Sequence, residues 1–404
     1  MRVLLINVVC GIRSTGRICT DIADLLTDEG HECKIAYGRE TVPEQYKKYA
    51  VRIGTELDAK IHALGSRIFD NTGFYSTRAT KKFIKWVKEY DPDVINLHNI
   101  HGYYLNIKLL FDYLRESGKP VVWTLHDCWA FTGHCCYYTA AKCNKWLTGC
   151  YKCQQKESYP TSLFIDNCKK NHELKKKIFT SLNNCTIVTV SKWLGVEAEK
   201  SFLGCYTVKV VQNGIDLSVF KPIQSDFKLN NRLKGKKIIL SVATSWADKR
   251  KGLEDVIKLS TKLDDSYVVV ALGVTEEEKK ALPSTVMGIT RTNNVKELAE
   301  IYTSADVYFC PSIEETFGLP TVEAMACGTP AVVYNSTALP EIVTDKSGYV
   351  VETHNIDAVV EKIKQCEELL KDDIINNAQK YSKESMLNNY LHIYSDVLEN
   401  TKQA

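Results

Sequence analysis

The sequence lacks the features that would place it outside the soluble globular proteins. No stretch of its 404 residues reaches the roughly 18 apolar residues that a membrane-spanning helix needs. Residues 1–16, MRVLLINVVCGIRSTG, have no long cationic leader and break at a glycine, so we expect no secretory signal. The formal net charge is only +3 and no charged tail dominates, which argues against a dedicated nucleic-acid binder. Solenoid repeats and low-complexity tracts are also missing, and the sequence predicts a cytoplasmic protein.

Cysteine, in contrast, is abundant, with 15 residues, most of them before position 206. In a reducing cytoplasm cysteines are thiols or metal ligands before they are disulfides. One dense group contains Cys135, Cys136, Cys143, Cys150 and Cys153, and the last two form a C-x2-C pair. The thiolates of Cys135, Cys143, Cys150 and Cys153 would suffice for a structural zinc ion. Reduced thiols or reversible disulfides are the alternatives, because only one C-x2-C pair is present.

Apolar strands alternate with amphipathic helices along the whole chain. RVLLINVV (2–9) and a glycine-containing turn open the first half, and KKIILSVAT (236–244) starts the same rhythm again. The alternation predicts parallel sheets covered by helices on both faces, and 404 residues are too many for one core. We therefore predict an α/β protein with two Rossmann-like, doubly wound domains, 1–208 and 209–384, facing each other across a cleft. A C-terminal helix at 385–404 is expected to return to the first domain.

Two glutamates, Glu315 and Glu323, lie on either side of a Gly-Leu-Pro turn after a predicted strand, Asp306–Cys310. Open α/β sheets bind their ligands at that end of the strands. Pro320 suits the first helical position, which places Glu323 in the first turn of the next helix. A carboxylate there accepts hydrogen bonds from a vicinal diol such as a ribose, and the N–H groups of the helix start face a phosphate or sugar oxygen. The alternative is a pair of solvated acids beside a loop.

The segment around these glutamates, PSIEETFGLPTVEAMACGTPAVV, resembles the E-x7-E signature of the retaining, nucleotide-sugar-dependent glycosyltransferases of family 4, which have the GT-B fold. The likeness extends over nearly the whole chain, through NLHNIHGYYLN, WTLHDCWAFTGHC, TIVTVSKWL, VVQNGIDLSVFKP and ALPEIV. These segments are similar to a bacterial branch of the family that builds capsular and other surface polysaccharides. None of the motifs specifies which sugar is moved.

The resemblance implies roles for individual residues. Glu323 would bind the ribose hydroxyls of the donor, and Glu315 its sugar, while His126 would contact that sugar near the reaction centre. The other implied donor-binding residues are Thr316, Phe317, Gly318 and Leu319, the base-reading loop of Gly288, Ile289 and Thr290, and Gly11 and Gly16 in the first strand-to-helix turn. The implied acceptor-side residues are Arg17, His98, Asn99, His101 and Asp127.

The family also carries an arginine five residues before the lysine of a Lys-Gly pair, and both side chains neutralise the leaving diphosphate. Lys251 matches the lysine, but Trp246 stands at the position of the arginine, so Arg250 or Lys249 is expected to supply the second charge. Fixed cations and a helix start can stabilise the leaving group without a divalent ion. The implied reaction is retaining, needs no cofactor besides the nucleotide-sugar, and uses a saccharide or lipid-linked oligosaccharide as acceptor, without a covalent protein nucleophile.

The sequence is also compatible with other functions. A metal-dependent hydrolase would draw its ligands from His98, His101, His126, Asp127 and His134. The HNIH segment, however, lies at a strand end and not on the helix that a zincin requires. A nucleotide-sugar epimerase would share the architecture, whereas a non-catalytic scaffold would be expected to have lost Lys251 or Glu315.

Two groups of lysines predict peripheral contact with the cytoplasmic face of the inner membrane. The first group is Lys81, Lys82, Lys85 and Lys88, around Phe83, Ile84, Trp86 and Val87, and the second is Lys169, Lys170, Lys175, Lys176 and Lys177. Basic helices with interleaved aromatic residues bind anionic lipid, and a lipid-linked acceptor would lie at that surface. The alternative is that these lysines form ordinary solvated helix faces.

Overall fold

The computed structural model describes residues 1–403, with side chains described as far as residue 401. The chain divides into two compact units. Unit 1 comprises Met1–Val211 and Leu387–Ala404, and unit 2 comprises Gln212–Met386.

Unit 1 is built on a seven-stranded sheet in the order β3-β2-β1-β4-β5-β6-β7. Its strands are β1 (Arg2–Asn7), β2 (Glu32–Tyr37), β3 (Ala50–Arg52), β4 (Val94–Leu97), β5 (Val121–Leu125), β6 (Cys185–Thr189) and β7 (Thr207–Val210). Its helices before residue 211 are α1 (Arg13–Asp28), α2 (Glu56–Phe69), α3 (Thr77–Tyr90), α4 (Ile107–Ser117), α5 (Cys168–Phe179) and α6 (Lys192–Lys200). All neighbouring strands run parallel.

Unit 2 is built on a six-stranded parallel sheet in the order β10-β9-β8-β11-β12-β13. Its strands are β8 (Lys237–Val242), β9 (Tyr267–Leu272), β10 (Val286–Ile289), β11 (Val307–Cys310), β12 (Ala331–Tyr334) and β13 (Gly348–Val351). Its helices are α7 (Phe227–Asn230), α8 (Leu253–Ser260), α9 (Glu276–Ala281), α10 (Val295–Ser304), α11 (Leu319–Ala326), α12 (Ile356–Gln365) and α13 (Lys371–Gln379). The last helix, α14 (Lys383–Gln403), belongs to unit 1 from Leu387 onward.

The central strands are buried on both faces because helices cover each sheet from both sides. Val3–Ile6 of β1 and Ile238–Leu240 of β8 are fully shielded from solvent. Such strands appear in the sequence as continuous apolar runs, which is why β1 and β8 are predictable from composition alone. The short strands at the sheet edges, such as β3 and β7, have no comparable signal. Among the described residues, no helix has both the length and the apolar character needed to cross a membrane.

Helix α1 begins earlier than its apolar pattern indicates. The prediction of a turn from Gly11 to Arg17 is wrong, because the helix starts at Arg13 and therefore includes Gly16 and Arg17. Gly11, with φ of 72°, and Arg13, with φ of 56°, both have a left-handed backbone. A side chain at Gly16 would lie 3.0 Å from Val9 Cγ2, so glycine lets the helix start directly against the end of β1.

Candidate active site

In unit 2 the loops after β8 and β11 bring the side chains of Lys251 and Glu315 together. The Lys251 ammonium donates a hydrogen bond to Glu315 Oε1, and both side chains are largely buried. Burial opposes the charge on Lys251, but the Glu315 carboxylate outweighs it and raises the pKa of the lysine. The pair therefore keeps a cation at the carboxyl end of the sheet, where open α/β sheets bind ligands.

The backbone explains why these two loops meet. Strands β8 and β11 are neighbours, and Ile313 N–H donates to the carbonyl oxygen of Arg250 across 2.9 Å. Gly252 has a left-handed φ of 76°, and a Cβ atom there would lie 2.4 Å from the Pro311 carbonyl oxygen. Only glycine fits this position, so Gly252 fixes the exit of Lys251 beside the loop that carries Glu315.

Glu323 lies deeper in its helix than the sequence predicts. Helix α11 begins at Leu319 because Gly318, with φ of 104°, caps it, so Pro320 is the second helical residue and Glu323 the fifth. The prediction of a first-turn position is therefore wrong. Tyr302, a buried residue of α10, donates its hydroxyl to Glu323 Oε2 across 2.9 Å. The half-buried carboxylate is thus oriented from within unit 2.

The residues between the two glutamates are held rigidly. Glu315 N–H donates to Thr337 Oγ1 (2.8 Å), and that hydroxyl donates back to the Glu315 carbonyl oxygen (2.7 Å). Phe317 is buried against the ring of Tyr381, with 5.6 Å between ring centroids. Thr316 and Leu319 are half-buried next to them. The main chain around Gly318 is therefore positioned before any ligand binds.

The residues predicted to read the base border a polar cavity of about 530 Å³ in unit 2. Gly288 and Ile289 lie in strand β10, so their prediction as loop residues is wrong, and Thr290 directly follows the strand. The apolar signal of β10 is weak because it is a short strand at the edge of its sheet. The other side of the cavity is formed partly by Glu297 and Glu300 of α10.

The residue that replaces the family arginine belongs to the core. Trp246 is buried and donates its indole N–H to the Leu272 carbonyl oxygen across 3.0 Å. Arg250 is half-buried, and its Nε donates to Asp248 Oδ1 across 3.1 Å. Lys249 is exposed. Arg250 therefore has a fixed guanidinium close to Lys251 in the chain, although Asp248 neutralises part of its charge.

In unit 1 a chain of hydrogen bonds connects His126 with the C-terminal helix. His126 follows β5 and His98 follows the neighbouring strand β4, and His126 Nε2 lies 2.9 Å from His98 Nδ1. His98 Nε2 lies 3.1 Å from Asn96 Oδ1, which also accepts the hydroxyl of Tyr394 at 2.6 Å. Tyr390, one turn earlier in α14, lies with its hydroxyl 3.2 Å from Thr124 Oγ1.

This chain fixes where the protons lie. Asn96 Nδ2 donates to the Val122 carbonyl oxygen at 3.0 Å, so its Oδ1 is an acceptor and His98 Nε2 must carry the proton. Burial holds the pKa of His98 well below its usual value and lowers that of His126 to about 4, so both rings are neutral at pH 7. His98 Nδ1 then accepts the Nε2 proton of His126. The Nδ1 atom of His126 is left without a proton and can act only as an acceptor.

A second polar group lies beside these histidines. His101 Nε2 is 2.8 Å from Asp127 Oδ2, while Asp127 Oδ1 accepts the N–H of Trp129 at 2.9 Å. Burial would raise the pKa of Asp127, but the neighbouring His101 and these hydrogen bonds lower it. His101, Asp127 and Cys136 have ligand atoms within 4.8 Å of one another, and in the described part of the chain no other such group of three exists. These three residues could hold a metal ion.

The structure thus brings together five of the predicted residues of unit 1. A cavity of about 10 Å³, which is the size of one water molecule, is lined in part by His98, Asn99, His101, His126 and Asp127. Gly11 is buried, and its N–H donates to the Gly16 carbonyl oxygen across 3.0 Å. Arg17 is exposed on α1.

The predicted zinc site is not assembled. Among the residues that the structure describes, no three of Cys135, Cys143, Cys150 and Cys153 have sulfur atoms all within 4.8 Å of one another. Cys150 Sγ instead accepts the N–H of Gly133 at 3.2 Å. Cys153 forms hydrogen bonds with the thiols of Cys135 and Cys168, which lower its pKa to about 3. Cys168, at the start of α5, is therefore a neighbour of Cys153 that the sequence spacing did not indicate.

Two further expectations require correction. His134 has a partner of its own, because its buried Nδ1 is hydrogen-bonded to Asp70 Oδ1 at 2.5 Å. Lys175 is not a surface cation, because its ammonium is buried over the ring of Trp129, 3.6 Å from the centroid, and donates to the Thr132 carbonyl oxygen at 2.8 Å. Burial lowers the pKa of this lysine to about 7.

Several residues that complete the site carry no sequence motif. Tyr390 and Tyr394 contact the site from a helix far away in the chain, and Tyr302 contacts Glu323 from the preceding helix. Aromatic residues within helices usually indicate only a core. Asn96 is the exception. A single amide in the apolar run VINL of β4 must find buried partners, and this could have identified it.

Two protein-family models match the chain, one over most of unit 1 and one over most of unit 2. The model described as Glycosyltransferase Family 4 matches residues 15–219, and the model described as Glycosyl transferases group 1 matches residues 223–383. The chain belongs to glycosyltransferase family 4. The family 4 chain therefore has the GT-B fold, with two Rossmann-like units, and glycosyltransferase activity.

Two curated relatives of this family 4 chain differ in how much of it they match. An Escherichia coli (strain K12) protein, provisionally named the colanic acid biosynthesis glycosyl transferase WcaC, is 22% identical over 98% of this chain and 100% of its own length. A GDP-mannose-dependent alpha-(1-6)-phosphatidylinositol dimannoside mannosyltransferase of Mycobacterium tuberculosis is 31% identical over 42% of this chain and 46% of its own.

Solved structures share the fold along the whole chain. The sucrose-phosphate synthase of Thermosynechococcus elongatus matches with a TM-score of 0.72 and 15% identity over 99% of both chains. Anabaena HepE, solved in complex with UDP and glucose, matches with a TM-score of 0.68 and 14% identity over 98% of this chain and 100% of HepE. At these identities the likeness concerns the fold alone.

Proposed function

We propose that the protein is a retaining glycosyltransferase that moves a sugar from a UDP-sugar to a lipid-linked saccharide during bacterial surface-polysaccharide biosynthesis. The observation that carries this proposal is the Lys251–Glu315 pair at the carboxyl end of the unit 2 sheet. A charged lysine held beside a carboxylate, next to the capped start of helix α11, is suited to a ligand with both anionic and polyol parts.

The donor binds to unit 2 in this proposal. Lys251 meets the diphosphate, the carboxylate of Glu323 accepts the ribose hydroxyls, and the cavity beside Gly288 and Thr290 receives the base. Glu315 has two tasks. Before the donor binds, it keeps Lys251 charged, and afterwards it accepts hydroxyls of the sugar. Arg250 supplies the second cation in place of the missing arginine.

Unit 1 contributes a neutral hydrogen-bond acceptor. Because His98 holds the proton of His126 on Nε2, the Nδ1 atom of His126 can accept a hydrogen bond from a sugar hydroxyl but cannot donate one. His101, Asp127 and Asn99 bind the acceptor saccharide. His126 is therefore a binding group and not a general acid at neutral pH.

The chemical step needs no protein nucleophile. The bond between the anomeric carbon and the diphosphate oxygen breaks, and the acceptor oxygen bonds to the same face of that carbon. The acceptor proton passes to the departing phosphate oxygen. Negative charge grows on the diphosphate as the bond breaks, and the ammonium of Lys251 stabilises it.

Several observations support the finer parts of the proposal. Anabaena HepE has been solved with UDP-glucose and shares the fold, which supports a UDP-sugar as donor. The names of the relatives support the acceptor. WcaC is provisionally assigned to colanic acid biosynthesis, and another relative is an O-antigen chain mannosyltransferase of Escherichia coli. The mycobacterial relative is named as a phosphatidylinositol dimannoside mannosyltransferase.

A donor screen tests the proposal. Thermal shift with UDP, GDP and their sugars should identify a UDP-sugar that raises the melting temperature of wild type. NMR of the product should then show the anomeric configuration of the donor. Stabilisation by GDP-sugars alone would refute the UDP assignment, and an inverted product would refute retention. Hydrolysis or epimerisation of the donor that does not depend on an acceptor would refute transfer to a saccharide.

A further inference from the structure

Three cysteine thiols of unit 1 form a group with Cys153 at its centre. The sulfur atom of Cys153 is hydrogen-bonded with the thiols of both Cys135 and Cys168. Cys153 is half-buried, whereas Cys135 and Cys168 are buried, with 8% and 1% of their surface exposed. A small molecule that arrives from solvent therefore meets the central sulfur atom first.

The surroundings of Cys153 favour its thiolate form. The two neighbouring thiols donate hydrogen bonds to its sulfur atom, the N–H of Gln155 acts in the same direction, and together they lower the pKa of Cys153. The contact with Cys153 raises the pKa of Cys168, so Cys168 keeps its proton. Because the thiolate is the nucleophilic form of cysteine, Cys153 is the member of the group that attacks electrophiles.

One carboxylate holds the main chains of Cys153 and Cys168 together. Asp166 Oδ2 accepts the N–H of Cys153 at 2.6 Å, and Asp166 Oδ1 accepts the N–H of Cys168 at 3.0 Å. The same carboxylate is hydrogen-bonded with the Cys168 thiol. Such a bridge keeps the two backbones close, as a disulfide requires, because its Cα atoms lie about 4.4–6.8 Å apart.

Cys135 contacts the same sulfur atom from a different loop. It lies after β5, where its carbonyl oxygen accepts the hydroxyl of Thr132 at 2.5 Å. Cys168 shares the Asp166 carboxylate with Cys153 and also has a base beside its thiol. Cys168 is therefore the better placed partner for a bond to Cys153.

A structural zinc ion is the alternative use of these thiols. Thiolates bind zinc at about 2.3 Å, which brings every pair of sulfur atoms in the site to within about 4 Å. Among the residues that the structure describes, no three cysteines have sulfur atoms all within 4.8 Å of one another. A central thiolate with two separate neighbours suits stepwise thiol chemistry better than it suits a tetrahedral metal.

We propose that Cys153 is an oxidation site that reacts with hydroperoxides and then forms a disulfide with Cys168. The Cys153 thiolate attacks one oxygen of hydrogen peroxide, the O–O bond breaks, and the hydroxide that leaves takes a proton from solvent. The sulfur of Cys168 then attacks the resulting sulfenic acid and its S–O bond breaks. The second hydroxide takes the Cys168 proton through the Asp166 carboxylate. Two thiols are oxidised by two electrons, one peroxide becomes two water molecules, and a thiol reductant reverses the bond by exchange.

The disulfide would close the segment 153–168, which contacts the candidate site of unit 1. Tyr159 of this segment lies with its hydroxyl 3.3 Å from His101 Nδ1, and the two rings are 5.8 Å apart between centroids. His101 is in turn bonded to Asp127. Oxidation is therefore expected to restrain the segment against residues that we propose for the acceptor. The oxidation site itself goes beyond the proposed function and does not depend on it.

Peptide mapping of the purified full-length protein tests the proposal. The protein is reduced, freed of reductant, treated with an equimolar amount of hydrogen peroxide, blocked with N-ethylmaleimide and digested without reduction. Mass spectrometry should find a peptide pair linked through Cys153 and Cys168 as the main product, and dithiothreitol should remove the link. A wild-type link between Cys153 and Cys135, or none to Cys153, would overturn the proposal.

Substitutions separate the two steps. Cys153→Ser should form no link to Cys168, and Cys135→Ala should still form the wild-type link. Cys135→Ala/Cys168→Ala should leave Cys153 as a sulfenic acid, which dimedone captures and mass spectrometry locates. Thermal melts check that the variants fold, and the mapping of wild type does not depend on them.

Cys205 provides a matched control in the same unit. It is exposed, and burial of part of its surroundings raises its pKa, so exposure and thiolate character are separated in this residue. Cys205→Ser should form the Cys153–Cys168 link like wild type. Oxidation of Cys205 before Cys153 would overturn the proposal, because accessibility alone would then decide the reaction. One equivalent of zinc in wild type that is absent from both Cys153→Ser and Cys168→Ala would overturn it as well, since the thiols would then be metal ligands.

Hydrogen exchange measures the effect on the segment. Peptides within 154–167 should exchange more slowly in oxidised than in reduced wild type, and peroxide should leave their exchange unchanged in Cys153→Ser. Equal exchange in both states of wild type would contradict the restraint. None of these measurements uses a donor or an acceptor. A protein that forms the link but transfers no sugar would therefore remove only the proposed function, and sugar transfer without the link would remove only the oxidation site.

Discussion

The two candidate sites are both at the carboxyl ends of parallel strands, but they use opposite chemistry. In unit 2 Lys251 and Glu315 face each other as charged groups, and the lysine pKa is raised. In unit 1 His98 and His126 are buried and neutral, with pKa values that burial lowers. A charged site suits a diphosphate whose charge grows during reaction, and a neutral, directional site suits hydroxyl groups. One sheet architecture can therefore present either kind of site, depending on the loops that follow its strands.

The largest expected effect concerns the charged site. Lys251→Ala should lower kcat by about 10²–10³, because one preorganised group that stabilises developing charge is lost. Donor affinity should change less, since the charge on the diphosphate is greatest in the transition state. Steady-state kinetics and donor titrations on a folded variant measure both. A folded Lys251→Ala enzyme with wild-type kcat would contradict the proposed mechanism.

Arg250 and Lys249 supply the controls for that variant. Arg250→Ala should lower kcat less than Lys251→Ala does, because Asp248 already neutralises part of the guanidinium charge. Lys249→Ala should be close to wild type, since the side chain is exposed. Equal losses of kcat in Lys249→Ala and Arg250→Ala would show that neither residue by itself takes the place of the missing arginine.

The next effect separates the roles of the two glutamates. Glu323→Ala should weaken UDP binding by about 1.5–3 kcal/mol, the range for a hydrogen bond to a charged group. Tyr302→Phe should weaken it by about 0.5–1.5 kcal/mol, because the variant loses only the hydroxyl that orients Glu323. Calorimetry with UDP measures both. If Glu315→Ala abolishes UDP binding while Glu323→Ala leaves it intact, the roles assigned here are exchanged.

The neutral site predicts a pH dependence of stability. The pKa of His126 is lowered from 6.5 to about 4, so the unfolded chain binds more protons between these values and stability falls as the pH drops through this window. At pH 5 the contribution of this residue is a loss of about 2 kcal/mol relative to pH 7. Unit 1 of His126→Gln should therefore lose less stability between pH 7 and pH 5 than unit 1 of wild type. Hydrogen exchange of unit 1 peptides in urea at both pH values measures the difference, and equal losses would contradict it.

A smaller, spectroscopic effect tests the proton arrangement directly. In protein with ¹⁵N-labelled histidine, long-range ¹H–¹⁵N spectra should show His126 as the Nε2–H tautomer at pH 7. His98→Leu removes the acceptor and should release this preference, whereas Tyr394→Phe leaves His98 in place and should preserve it. An Nδ1–H tautomer in wild type would show that His98 does not position His126.

The smallest effect on turnover is expected from the removal of metal ions. Turnover with donor and acceptor should survive EDTA, because side-chain cations take the place of a divalent ion at the diphosphate. Loss of activity that Mg²⁺ or Mn²⁺ restores would overturn this expectation. Alternatively, only Zn²⁺ could restore the lost activity, and the His101→Ala variant could fail to bind zinc. These two results together would identify His101, Asp127 and Cys136 as a catalytic metal site.

The sequence correctly predicts strands and the ligand-binding edge of each sheet where the apolar pattern is local in the chain. Strands β1, β5 and β8 appear as apolar runs because both of their faces are buried, and polar residues directly after them mark the ligand-binding edge. The pattern fails where apolar residues do not face the core. The hydrophobic spacing of α2 would ordinarily indicate a buried face, yet Ile61 and Leu64 point to solvent. Spacing also missed a cysteine, since Cys168, distant from the predicted group in the chain, lies beside Cys153.

By itself the sequence determined the alternation of strands and helices, the α/β class and the family, because these depend on periodicity and on motifs that are local in the chain. It also named Lys251, Glu315, His98 and His126 as candidates. Only the tertiary structure decided which of them meet. Lys251 contacts Glu315 because β8 and β11 are neighbours, and His98 contacts His126 because β4 and β5 are. Strand order brings together residues that are distant in the chain, and no local pattern encodes that order.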